Sequence, residues 1–243
     1  MSAVLLNIVI GLVTSVLTGS SVWVWQRVDK TRRSRRKAAF FGLHPGETCL
    51  IVMNHRWNDP RSTHQNDVHA LIEIGALATE VGASVSVKSC DDIRESNSGR
   101  TEFCVGGPSS NPRTAGHLAA CLPGIRVSPS KRDDLAMSGG SHRYGYERGA
   151  LAHAVVAKFT PAASTRPVIL ICGQSAIANR AAVHLLKRDY RQLARTLSRA
   201  DRFCLILRVT APDVYGHEMV EVAEDVSDTA FTARSSPLSA GNR

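Results

Sequence analysis

Aromatic residues are scarce in this chain, at 5% of 243. A reader of single-stranded nucleic acid needs rings for bases to stack on and basic side chains spread over a folded face. Nucleic acid is therefore not expected as a partner. Also lacking is any C-x-x-C pair. The six cysteines, Cys49, Cys90, Cys104, Cys121, Cys172 and Cys204, occur singly. Four lie inside apolar, strand-like runs, which suits small buried hydrophobes in a reducing compartment. The nine histidines supply no closely spaced ligand pairs, so no metal site is expected. Only Cys104 and Cys172, each just before a glycine turn, sit where a nucleophile could be exposed. Two nucleotide signatures are missing as well: neither a Walker A Gly-Lys-Ser/Thr nor a G-x-G-x-x-G fingerprint occurs, and no cofactor is expected.

Charge is absent from Ala3 to Trp25, a run of 23 residues rich in Leu, Val, Ile and Gly. At about 1.5 Å per helical residue such a run reaches roughly 35 Å, enough to cross a hydrocarbon core of about 30 Å. Residues 27–37 then carry seven basic side chains against the single acid Asp29, supplying +6 of the formal +9. Their position after the apolar run argues against a cleaved signal peptide, which carries its positive charge before a shorter core. The positive-inside bias places the N-terminus outside and everything after the run in the cytoplasm, with Trp23 and Trp25 at the interface. Residues 1–26 thus read as a single-pass anchor in a cell inner membrane, and 27–45 as a basic juxtamembrane linker attracted to anionic lipid. Arginine outnumbers lysine 24 to 6, which suits a GC-rich bacterial genome.

The remaining length suffices for one domain, residues 46–231, followed by a disordered tail at 232–243. Strands are expected at 48–54, 83–87, 102–105, 154–159, 168–172, 203–209 and 218–222, and helices at 67–81, 111–122 and 176–197. Residues 128–146, rich in Ser, Gly, Arg and Asp, read as a long loop or irregular hairpin. Alternation of strand and helix predicts an α/β fold with a mainly parallel sheet covered by helices on both faces. The later strands add an antiparallel, mixed part.

Three polar turns would meet at the carboxyl edge of that sheet, where open α/β folds bind ligands and helix N-termini carry partial positive charge. In the first, Gly106 and Gly107 permit a tight turn, Ser109, Ser110 and Asn111 offer caps or donors, and Arg113 suits a phosphate or carboxylate. The second runs through Gly173, Gln174 and Ser175 into a helix. The third, after the first strand, carries His55 and Asp67, which suit a ribose contact or acid/base work. Capping alone also accounts for these residues.

The strand-Gly-Gly-Pro-Ser-Ser-Asn-helix turn and the βα order over residues 48–210 resemble the broad Rossmann-like class of nucleotide-handling domains in bacterial signalling proteins. That resemblance implies sensing of a nucleotide or cleavage of an N-glycosidic bond. For the latter a pocket glutamate would be required, for which Glu102 and Glu147 are the candidates. Three functions follow: a membrane-anchored domain binding a nucleotide or phosphorylated small molecule, a nucleotide or N-glycosidic-bond hydrolase, or a tethered protein-interaction module without a small-molecule site.

Overall fold

A computed structural model describes residues 23–56, 59, 61–93, 97–128, 137–139 and 142–232. Helix α1 covers residues 23–41. The chain continues through β1 (Thr48–Met53), α2 (Gln65–Glu80), β2 (Ser84–Ser89), β3 (Glu102–Val105) and α3 (Pro112–Cys121). The short strands β4 (Arg126–Val127), β5 (Met137–Gly139) and β6 (His142–Tyr144) come next, then β7 (Leu151–Phe159), β8 (Val168–Gly173) and α4 (Ala176–Thr196). Last are β9 (Phe203–Thr210), α5 (Pro212–Tyr215), β10 (Val220–Asp225) and α6 (Ser227–Ala230).

Seven strands form one mixed sheet in the order β10-β9-β7-β8-β3-β1-β2. The pairs β2–β1, β1–β3 and β3–β8 are parallel, whereas β8–β7, β7–β9 and β9–β10 are antiparallel. The α/β architecture and mixed sheet expected from the alternation are therefore present. β7 begins at Leu151, earlier than expected, because it is central: pairing on both sides and packing on both faces bury eight of its nine residues. Of the stretch at 128–146, residues 129–136 and 140–141 lie outside the described residues; β5 and β6 within it pair with β4 just before it in a small sheet of their own, β4-β5-β6.

Alternation along the strands divides the core in two. Cys49, Ile51, Phe103, Val105, Ile169 and Ile171 face α2 and α4, joined by Phe40 and Phe41 from α1. Leu50, Val52, Cys104, Leu170 and Cys172 face the opposite way, toward Leu118 and Leu122 at the end of α3 and Ala230 of α6. Helices thus cover both faces. At the edges β2 is largely exposed, and β10 carries a register shift between Val222 and Glu224, a device that discourages edge-to-edge association.

The segment expected as a linker is helical through residue 41 and enters the core, with Ala38, Phe40, Phe41 and Leu43 all buried. Its last turn is held by Lys158 of β7 and by the Thr101 hydroxyl, which donates to the Gly42 carbonyl. Among the described residues no helix is long and apolar enough to cross a membrane. The expected span at 3–25 lies, apart from 23–25, outside the described residues, as does the tail beyond Thr232.

Candidate functional site at the carboxyl edge of the sheet

Strands β1, β3 and β8 lie side by side, so their following turns emerge together. From β1 the chain passes to α2 on one face, from β3 to α3 on the other, and from β8 to α4 back on the first. Adjacent parallel strands whose helices leave to opposite faces open a crevice between them, and here β3 has one on either side.

Direct contacts tie the three turns together. The His55 amide donates to the Ser110 carbonyl at 3.1 Å, and the Gly106 amide to Ile171 at 2.9 Å. Gly106 has φ +108°, and a Cβ there would lie 2.5 Å from the Asn54 side chain, so only glycine lets the β3 turn close against β1. Gly107 is more open, its nearest neighbour to such an atom being the Gly173 carbonyl at 3.6 Å.

A buried polar chain runs beneath this surface. Asp67, 2% exposed, accepts from Asn54 Nδ2 at 3.0 Å and from Asn179 Nδ2 at 2.8 Å, while Asn179 Oδ1 accepts the Gly173 amide at 2.6 Å. Burial raises the Asp67 pKa against the opposing pull of these two amides. The acceptor role of Asp67 fixes which way the Asn54 amide points, and it leaves Asn54 Oδ1 buried with no hydrogen-bond partner. A buried acceptor without a donor is costly unless a water or ligand supplies one.

Other residues singled out from the sequence have local duties. Asn111 is fully buried and caps α3, its Oδ1 accepting from Arg113 and Thr114 amides while Nδ2 donates to Val105. Ser175 caps α4 in the same way, through the Ala178 amide. Gln174 stitches β8 to its neighbours: its Oε1 accepts the His153 amide at 2.6 Å and its Nε2 donates to the Tyr144 carbonyl. Ser110 Oγ lies 3.5 Å from Asn54 Nδ2, and Ser109 is exposed at the rim.

Arg113 differs from its expected position. It turns away from the crevice and grips Glu102 with two hydrogen bonds, of 2.8 and 2.6 Å, while His117 Nε2 contacts the same carboxyl at 2.8 Å. Burial would raise the Glu102 pKa, but these hydrogen bonds and the charges of both partners outweigh it and hold the carboxyl below its usual range. Glu102 is thereby a structural anion rather than a pocket acid, and Glu147 is exposed on another turn. Cys104 and Cys172 are fully buried, and burial raises both thiols, that of Cys172 to about 12. Neither can serve as a nucleophile at neutral pH.

No protein-family model matches the chain, and no curated protein does.

Sequence reasoning missed Asn54, Asn179 and Gly106's lock on Asn54. Asn54 opens the polar turn after the first strand and Asn179 closes the second glycine junction, but their common partner Asp67 is remote from each in sequence and carries no local signal of the pairing. The orphaned amide oxygen arises only when β1, α2 and α4 come together.

Proposed function

We propose that the chain is a membrane-anchored, Rossmann-like domain that binds a nucleotide or another phosphorylated small molecule in the crevice above β1, β3 and β8. The observation that carries this reading is the buried Asn54 Oδ1, an acceptor lacking a donor, at a point where the helices of adjacent parallel strands diverge. A ribose hydroxyl or base amine supplies such a donor. The anionic end would lie by Gly107 and Gly173, in the turns that lead into the partially positive N-termini of α3 and α4. Gly107 leaves backbone accessible there, and Ser109 and Ser110 offer hydroxyls.

The anchor is residues 3–25, with the N-terminus outside and the domain in the cytoplasm. In its support, Trp23 and Trp25 are 58% and 70% exposed at the start of α1, ahead of the basic run. Extraction of membranes with alkaline carbonate tests it: the full chain should stay in the pellet, and a chain lacking residues 1–22 should be released.

Binding is tested with the full chain in detergent micelles, by thermal shift against nucleotides, dinucleotides and sugar phosphates. A ligand at 100 times its Kd should add about 2.7 kcal/mol. The shift should disappear in Gly107→Val, whose Cβ would stand at ordinary contact distance, 3.6 Å, from the Gly173 carbonyl. A folded protein that responds to no member of the panel would favour a protein-interaction module, and turnover of a bound nucleotide would make it a hydrolase.

A further inference from the structure

Beside the crevice, on its α3 side, three side chains with metal-binding atoms converge. His55 comes from the turn after β1, and Cys90 and Asp91 from the turn after β2. Their donor atoms all lie within 4.8 Å of one another. The His55 Nε2 to Asp91 Oδ1 distance is 3.8 Å. Bond lengths of about 2.0–2.3 Å in a tetrahedral site place neighbouring ligand atoms roughly 3.3–3.8 Å apart, so little movement is needed to close on an ion.

We propose that His55, Cys90 and Asp91 form a site for a zinc-type transition metal, with its fourth position open to the adjoining cavity. This goes beyond the nucleotide reading and does not depend on it.

The imidazole is already oriented for the task. His55 Nδ1 lies 2.9 Å from the Arg56 carbonyl, which can only accept, so the proton belongs on Nδ1 and the lone pair on Nε2. A histidine ligand held by a carbonyl through its second nitrogen is the usual arrangement around protein-bound zinc. The donor set of thiolate, imidazole and carboxylate selects zinc over the harder magnesium and calcium. Metal binding displaces the Cys90 thiol proton to solvent, and the resulting thiolate and the Asp91 carboxylate balance the 2+ ion. Without an ion the Cys90 thiol donates to the Ser110 carbonyl at 3.7 Å, a weak bond that ligation as thiolate replaces.

The cavity supplies what a closed structural zinc site lacks. About 310 Å³ in volume, it is lined by Cys90, Asp91, Ile93, Arg113 and His117 among others. Three protein ligands with an open fourth position are the pattern of sites where zinc binds water or substrate. A second trio, Glu102, Cys104 and His117, also brings ligand atoms together. It is discounted because Arg113 holds both Glu102 oxygens and Cys104 is fully buried.

The test uses the full chain in detergent, stripped with a chelator and titrated with Co²⁺ as a spectroscopic substitute, then with Zn²⁺. One equivalent of Co²⁺ should give tetrahedral d–d bands and a thiolate-to-cobalt charge-transfer band, both removed by Zn²⁺. Cys90→Ser should abolish the charge-transfer band. Asp91→Asn, at a half-exposed side chain where folding is not at stake, should weaken Zn²⁺ at least as much as the roughly 10- to 100-fold that follows loss of a supporting partner. Binding should be unchanged in His117→Ala. No stoichiometric Co²⁺ binding would overturn the proposal, as would a charge-transfer band surviving in Cys90→Ser or Zn²⁺ affinity unaltered in Asp91→Asn.

Discussion

The ammonium of Lys158 lies 2.5 Å from the carbonyl oxygen of Phe40, inside the protein. The same group donates to Ala200 at 3.1 Å, so a β7 side chain, 5% exposed, serves the last turn of α1 and the approach to β9. A cation at a helix C-terminus satisfies carbonyls that have no partner within the helix. Burial nonetheless depresses the Lys158 pKa to about 8, partly opposed by the charge of Asp201.

The sign of the resulting pH dependence follows. Between pH 8 and the ordinary lysine value the unfolded chain keeps a proton that the folded chain has released, so stability attributable to Lys158 rises with pH across that window. At about 1.4 kcal/mol per pKa unit, the rise amounts to roughly 3 kcal/mol at most. The buried cysteines work in the opposite direction, because burial raises their pKa values. The readout is therefore urea unfolding of the natural chain relative to Lys158→Met between pH 7 and 10. The natural chain should gain on the variant as pH rises; parallel profiles would sink this assignment.

Arg113 should prove to be a stability residue. Arg113→Ala leaves Glu102, which is fully buried, without its bidentate partner, and breaking a buried ion pair from one side costs about 3–5 kcal/mol. The double variant Arg113→Met with Glu102→Gln should recover much of the loss. Denaturant midpoints decide the matter. An Arg113→Ala protein of natural stability would mean the guanidinium acts elsewhere.

Two neighbouring glycines should part company. Gly106→Ala forces a side chain into the left-handed region and against Asn54, so a loss of about 2 kcal/mol or more is expected. Gly107→Ala meets only ordinary contact distance, and thermal unfolding should change little. Equal losses at both positions would contradict the close approach of the β3 turn to β1.

Truncation locates the start of the domain. Removing residues 1–45 takes away Phe40 and Phe41, which are 4% and 1% exposed and pack edge-on at 5.0 Å. Loss of a buried phenylalanine costs about 3–5 kcal/mol, so the shortened chain should not unfold cooperatively. A chain beginning at Trp23 should. Calorimetry distinguishes them, and a cooperative transition in the shorter chain would refute the role given to α1.

What could be read in the sequence depended on period and punctuation. The helices expected at 67–81 and 111–122 are legible because amphipathic spacing and turn chemistry are local signals. The helical state of residues 27–41 was hidden because a run of arginines has no apolar stripe until Ala38, Phe40 and Phe41. The turns around Gly106 and Gly173 were legible as glycine-rich punctuation between strand and helix. Arg113 was legible as a cation but its partner was not, since Glu102 precedes it by eleven residues and meets it only across β3 and α3. The gathering of His55 with Cys90 likewise requires β1 and β2 to lie in register, as Met53 does with Ser89.

The docking of α1 sets where the chain enters the domain. Its last turn ends at the amino edge of the parallel strands, where Gly42 abuts Pro167 ahead of β8 and Thr101 ahead of β3. The crevice opens at the other edge, a strand length of roughly 20 Å away. An anchor preceding α1 would therefore hold the protein by its heel, with the polar crevice turned outward from the bilayer. Visitors would arrive by diffusion through the aqueous phase, and a lipid sliding in the membrane plane would not meet them there.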